Sequence, residues 1–214
     1  SGEFWHLIIG AAIGGAINWV ANGADLSWEG LSYFATGAVS GALTAAFPGA
    51  AIGITAGAGA ANSAIGQGFN NGWNNINLQQ VAFDGIMAGT MAYVGGEIAS
   101  KFAGPVQKLT EKISSPMLRE LIVHEASGLP FGTVMGGIMA VADGDPNTSF
   151  LDGMWSGAKK SFVTSGLSAV GSAANYSLDN KVGMLTGIPK GGEVRVGRWR
   201  SEERRVGKEC RSRW

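Results

Sequence analysis

The chain has 214 residues, enough for one or two domains, and 35 of them are glycine, a share well above the usual value of about 7%. Only 15% are charged and mean hydropathy is +0.13, which is apolar for a protein in water and weak for one with many membrane spans. No Gly-X-Y period is present, so a collagen-like helix is excluded. The formal net charge of zero hides an imbalance. The last fifteen residues, RSEERRVGKECRSRW, hold six basic and three acidic side chains; without them ten basic and thirteen acidic remain, a net of −3. Cys210 also lies there, so residues 1–199 can form neither a disulfide nor a thiolate site.

The opening, SGEFWHLII, has no Met and no basic stretch, so it does not read as a signal peptide; it is expected to be the interior of a longer protein. Residues 4–21 form an uncharged apolar run of helical character, interrupted only by His6 and Asn18. The break NGADLS follows. From Gly30 to Phe83 there is no charged residue over 54 positions. Pro48-Gly49 divides this span, predicting helices near 31–47 and 49–65. The Asn-rich stretch 70–80 divides it again, and a further helix is predicted over 84–99, starting near Asp84.

Residues 97–125 carry most of the mid-chain charge, with apolar residues Leu109, Ile113, Met117, Leu118, Leu121 and Ile122 at helical spacing. Ser115-Pro116 reads as the cap and first residue of a new helix. After an uncharged stretch (126–142) and the turn DGDPNTS (143–149), a last helix is expected to about Leu178. Residues 179–199 lose the helical pattern, and EVRVGRW alternates like the opening of a strand.

Glycines recur four apart inside these helices: Gly10/Gly14, Gly37/Gly41, Gly49/Gly53/Gly57, Gly85/Gly89, Gly132/Gly136 and Gly153/Gly157. Positions i and i+4 share a helix face, and a row of glycines there lets a second helix approach closely. Each interior glycine costs about 1 kcal/mol of helix propensity relative to alanine, so close contact must compensate. A weak repeat runs through 14–31, 66–86 and 136–154, aligning Glu29-Gly30, Asp84-Gly85 and Asp152-Gly153 as helix starts. The expected fold is mainly α: repeated helical hairpins packed through Gly/Ala faces, with a short irregular or β C-terminal segment. Its parts are a helical region (1–178), a linker and the start of a truncated domain (179–199), and a non-native tail (200–214).

No chemistry stands out. His124 in VHEASG lacks the second histidine four residues on that a zinc helix needs, and His6 sits in an apolar run. Glu29, Asp84 and Asp152 fit helix starts better than paired acid–base carboxylates. Trp5, Trp19, Trp28, Trp73 and Trp155 have no basic groove beside them, so they read as packing residues or, at a bilayer, an aromatic belt rather than a platform for bases. No phosphate loop and no nucleophile elbow is present. No catalytic, cofactor-binding or metal-binding residue is assigned, and neither nucleic acid nor a small-molecule substrate is an expected partner.

Two resemblances complete the reading. The tail 200–214 resembles the conceptual translation of a sequencing adapter, and no function is drawn from Arg204, Arg205 or Cys210. Residues 1 to about 190 resemble the segment that follows the core of Rhs (YD-repeat) polymorphic toxins of bacteria. The likeness rests on the S-G-E-F-W start, the Asn-Gly break, the W-x-G-L-x-Y-F element at 28–34 and later F-x-x-G-x-x-x-G elements. It implies a secreted or cell-surface bacterial protein whose core would precede Ser1 and whose variable toxin would follow. GGEVRVGRW then resembles the first strand of that toxin. On this reading the chain is a non-enzymatic linker, or pre-toxin, segment that positions or helps translocate an effector, with the rest of its own polypeptide as partner. The rival reading is a membrane-inserting or pore-forming helical protein with a lipid bilayer as partner.

Overall fold

The computed structural model describes residues 2–142 and 147–190. Among them are six α-helices: α1 (Gly2–Ala21), α2 (Trp28–Ala46), α3 (Ala51–Asn71), α4 (Leu78–Thr110), α5 (Pro116–Ala142) and α6 (Phe150–Asn180). A 3-10 turn, Pro48–Ala50, links α2 to α3. The fold is mainly α and is built from helical hairpins. The strand expected at EVRVGRW and the tail after it lie outside the described residues.

Local chemistry sets the helix ends. Ser27 caps α2, its side chain accepting from the Gly30 N–H at 3.1 Å. Pro48 stops α2, because the residue before a proline is disfavoured in the helical region. Gly72, at φ 90°, ends α3. Ser115 accepts from the Leu118 N–H at 3.3 Å, and Pro116 is the first residue of α5, as the Ser-Pro pair predicts. Ser149 and Asp152 form a capping box that opens α6.

The third helix runs on to Asn71 rather than 65, and the fourth differs from expectation at both ends. The fourth helix runs over Leu78–Thr110 rather than 84–99, because the Asn77 side chain accepts from the N–H groups of Gln79 and Gln80 and starts it six residues early. Asp84 therefore sits in the second turn. It accepts from Ser63 Oγ at 2.5 Å and from Gln80 Nε2 at 2.8 Å, tying α4 to α3 instead of capping a helix.

The three hairpins α1/α2, α3/α4 and α5/α6 share one crossing. In the first, Gly10 lies opposite Gly41 and Gly14 opposite Gly37; a Cβ on any of the four would strike the partner's backbone. In the third, Gly132 lies opposite Gly157 and Gly136 opposite Gly153; a Cβ on Gly136, Gly153 or Gly157 would strike the partner's backbone, and one on Gly132 would strike the Ser161 side chain. In the second, Gly85 and Gly89 face Ala56 and Ile52, and a Cβ on Gly85 would meet Ala56 O and the Ala60 methyl, both at 3.0 Å. Gly37, Gly85 and Gly153 are thus equivalent, each placed against Asn18, Ala60 or Ala140. The flanking aromatics follow the same register: Gly15 lies under the Phe34 ring and Gly137 under that of Phe150.

This geometry corrects two expectations. Asp84-Gly85 and Asp152-Gly153 do occupy equivalent places, but the matching pair on α2 is Thr36-Gly37. Glu29-Gly30 lies two turns away, where Gly30 packs on the Asp25 carbonyl of its own turn. The row Gly49/Gly53/Gly57 makes no crossing, since a Cβ at any of them would meet nothing within 4 Å. Gly59 is the α3 glycine that faces α4, closed off by the Ala88 methyl.

The hairpins then close on themselves. The backbone of each helix lies against its neighbours in sequence and α6 also lies against α1; among the described residues no other pair of helices packs backbone to backbone, although the Asn18 and Asn62 side chains reach between α1 and α3. The six helices therefore form a ring. The last residues of α1, α3 and α5 and the first of α2, α4 and α6 lie at one end, and the connections 47–50 and 111–115 at the other. Few side chains are buried: Tyr33, Pro116, Ala140, Ala169 and Ala173 are the apolar ones among the described residues. Residues 181–190 fold back onto the start of α5, with the Met117 N–H donating to Met184 O at 2.9 Å and a bridge between Val182 and Pro189.

Candidate functional site

Two adjoining cavities of about 320 and 400 Å³ occupy the middle of the ring, and between them all six helices contribute lining. No single helix supplies more of the polar lining than α6. Ser161, Ser165, Ser168, Ser172, Asn175 and Asp179 recur at spacings of four and three, which puts them on one helix face. Ser161 and Ser165 fill the places where Gly132 and Gly128 of α5 lack a side chain. Ser168, Ser172 and Asn175 face the cavity. This stripe was readable in the sequence as a heptad-like run of hydroxyls, but the apolar residues between them mask it.

Both histidines reach the stripe. His6 Nδ1 lies 2.8 Å from Asn175 Oδ1, and its Nε2 lies 2.9 Å from Asp179 Oδ1, joining α1 to α6. His124 Nε2 lies 3.0 Å from Ser172 Oγ and 3.8 Å from Glu120 Oε2. Burial pushes the His124 imidazole below its ordinary pKa, with Glu120 opposing the shift. A nucleophile relay needs an acid on the ring nitrogen opposite the serine. Here serine and carboxylate share Nε2, and Ser172 sits inside a continuous helix with no freed backbone N–H beside it. The pair ties α5 to α6 and is not arranged for acyl transfer.

Two further polar sets hold the ring. Asn18 Nδ2 donates to Asn62 Oδ1 at 2.9 Å and to Tyr33 O at 2.6 Å, and Asn62 Nδ2 returns a bond to Asn18 Oδ1 at 2.7 Å. This joins α1, α2 and α3. Tyr33 Oη donates to Glu29 Oε1 at 3.0 Å; burial first, then that carboxylate, push the phenol up to about 12. On α5, facing Gly166, both Glu125 oxygens are buried with no hydrogen-bond partner, and burial raises the carboxyl above its usual range.

Glu29, Asp84 and Asp152 each have separate partners, and no hydrogen bond among the described residues links any two of them. Asp152 is held below the usual carboxylate range by the Ser149 side chain and backbone. No group of three or more His, Cys, Asp or Glu suited to a metal ion occurs among the described residues. The tryptophans do not gather into one platform. Trp5 is on the first turns of α1 and packs edge-on against Phe4. Trp19 and Trp28 flank the first turn, Trp73 packs on Phe69 in the second, and Trp155 lies under Lys159 near the third.

The site is thus a pair of open, mainly apolar cavities that carry a row of hydroxyl and amide groups, inside a wall that exposes large apolar residues such as Val94, Val134, Ile138 and Phe162. No family model, curated protein or solved structure matches this chain.

Proposed function

We propose that this chain is a non-catalytic pre-toxin segment of an Rhs-type secreted bacterial toxin, which positions or helps translocate a downstream effector. The observation that carries the reading is the uncovered apolar outer wall of the ring. Patches of this kind mark surfaces that meet another molecule. On this reading the cover is supplied by other parts of the same polypeptide. The glycine crossings support a scaffold role, since they give rigid hairpins without large side chains between the helices. The test is the uninterrupted gene on both sides of the segment. YD repeats upstream and a toxin frame downstream are expected; a locus with neither removes the proposal.

A second reading, membrane association, is favoured by α1. Its best 18-residue window has a mean hydropathy of 1.5, long and apolar enough to cross a bilayer by length and composition. Co-flotation of the purified chain with liposomes tests it, and a chain that stays at the bottom of the gradient rejects it.

A further inference from the structure

We propose that the turn end of the ring is a docking surface for a zwitterionic phospholipid bilayer. The proposal rests on the membrane reading above and adds which end meets the lipid, through which residues, and with what headgroup. All three hairpins bring the start of their second helix to this end, and beside each start a tryptophan and a large aliphatic side chain are exposed. The first turn carries Leu26, 93% exposed, and Trp28, 77% exposed. The second carries Trp73 and Leu78, and the third Leu151 and Trp155, all exposed. Tryptophan is enriched where one side of a ring is in hydrocarbon and the other in water.

A second observation concerns volume. An open apolar cavity of about 630 Å³ sits in the first turn between Trp19, Leu26, Trp28, Leu31 and Phe34. Its polar groups are bonded among themselves: Trp19 Nε1 donates to Asp25 O at 2.8 Å and the Gly30 N–H to Ser27 Oγ at 3.1 Å. The cavity offers apolar walls with no free donor aimed inward, which fits the end of an acyl chain.

Charge decides between occupants. Asp25, Glu29, Asp84 and Asp152 lie toward this end, so two copies meeting turn to turn would set acid against acid. The same acids disfavour an anionic membrane and suit the ammonium groups of zwitterionic headgroups. The cations fall at the matching height. Lys159 and Lys160 are nine and ten residues into α6, about 14–15 Å from its start at 1.5 Å per residue. Interfacial elements bury their apolar face by roughly 5–10 Å. Trp155 then reaches the acyl boundary, while Lys159, 5.6 Å above the Trp155 ring, stays among the phosphates.

The test is vesicle co-flotation of the full chain with phosphatidylcholine, beside vesicles containing phosphatidylglycerol. The wild-type chain is expected to float with phosphatidylcholine and at least threefold less with the anionic mixture. The L26A/W28A/L151A/W155A variant is expected to lose binding at least tenfold, while F4A/W5A at the opposite end binds as wild type. Far-UV circular dichroism checks that both variants keep their helices. Quenching by brominated lipid provides a folding-independent readout: W28F/W155F should lose most of the quenched fluorescence and W5F little. A quadruple variant that binds normally, or quenching carried by Trp5, overturns the proposal and leaves the membrane reading intact. Preference for the anionic vesicles also overturns it. A wild-type chain that never floats ends both, and a turn-end variant that converts a dimer into a monomer reassigns the surface to a second copy.

Discussion

Gly14 and Gly37 lie directly opposite each other, and a methyl on either would be driven into the other's carbonyl oxygen. That contact predicts opposite outcomes for one substitution at two sites. Gly37→Ala is expected to destabilise the chain by about 1–3 kcal/mol, as overpacking does, even though alanine gains about 1 kcal/mol of helix propensity. Gly53→Ala, facing open space in α3, is expected to stabilise by up to about 1 kcal/mol. Urea unfolding followed by circular dichroism compares them; equal shifts would deny the crossings any role.

The reciprocal Asn18–Asn62 pair is expected to show coupling. Asn18→Ala leaves Asn62 and the Tyr33 carbonyl short of a partner, at a cost of about 1–3 kcal/mol. Asn62→Ala should cost less, because the Tyr33 contact survives. In a double-mutant cycle the two losses should fall short of additivity by about 1 kcal/mol. Strict additivity would mean the amides act independently.

His124 predicts a pH dependence. Its pKa is lowered in the fold from 6.5, so the folded state prefers the neutral imidazole. The contribution is present above 6.5 and is lost as pH falls through the folded value. Melting temperatures at pH 7.5 and 5.5 should therefore diverge more for the wild type than for His124→Gln. A variant with an unchanged difference would place the titrating group elsewhere.

The returning segment 181–190 hinges on Gly187, which has φ 69° and whose Cβ would collide with the Ser114 carbonyl. Gly187→Ala is expected to cost at least about 1 kcal/mol from backbone strain and the clash together. It should also speed proteolysis after Lys181 and Lys190. Unchanged cleavage would show that this turn is not held against α5.

The hairpins were legible because glycine pairs four apart mark a face, and polar Asn/Asp-Gly breaks mark the turns. What the pattern could not decide is which marked face finds a partner. On α3 the row Gly53/Gly57 is as regular as Gly37/Gly41, yet the crossing uses Ala56, Gly59 and Ala60. Alanine is small enough to cross closely, so small-residue faces compete on such a helix. Asp84 was misplaced for a similar reason: an acid before a glycine looks like a helix start, but Asn77 supplies a better cap earlier. Ring closure was illegible because the contacts of His6 with Asn175 and Asp179 span the whole helical region. The row of polar groups inside the ring stayed hidden with it, since the serine stripe of α6 acquires meaning only when α1 and α5 face it.

Five of the six walls of the ring join helices that a short connection already holds together. The seam between α1 and α6 does not; it rests on His6, Asn175, Asp179 and the packing of Ile13 on Gly171. Parting at any other wall would leave its two helices tethered. Parting at this one would unroll the cylinder into a strip of three hairpins, each still locked by its own crossing. The cavities would vanish while the helices and their small-residue locks stayed whole. His6 thus stands at the one wall where the first and last helices of the ring meet with no short connection between them.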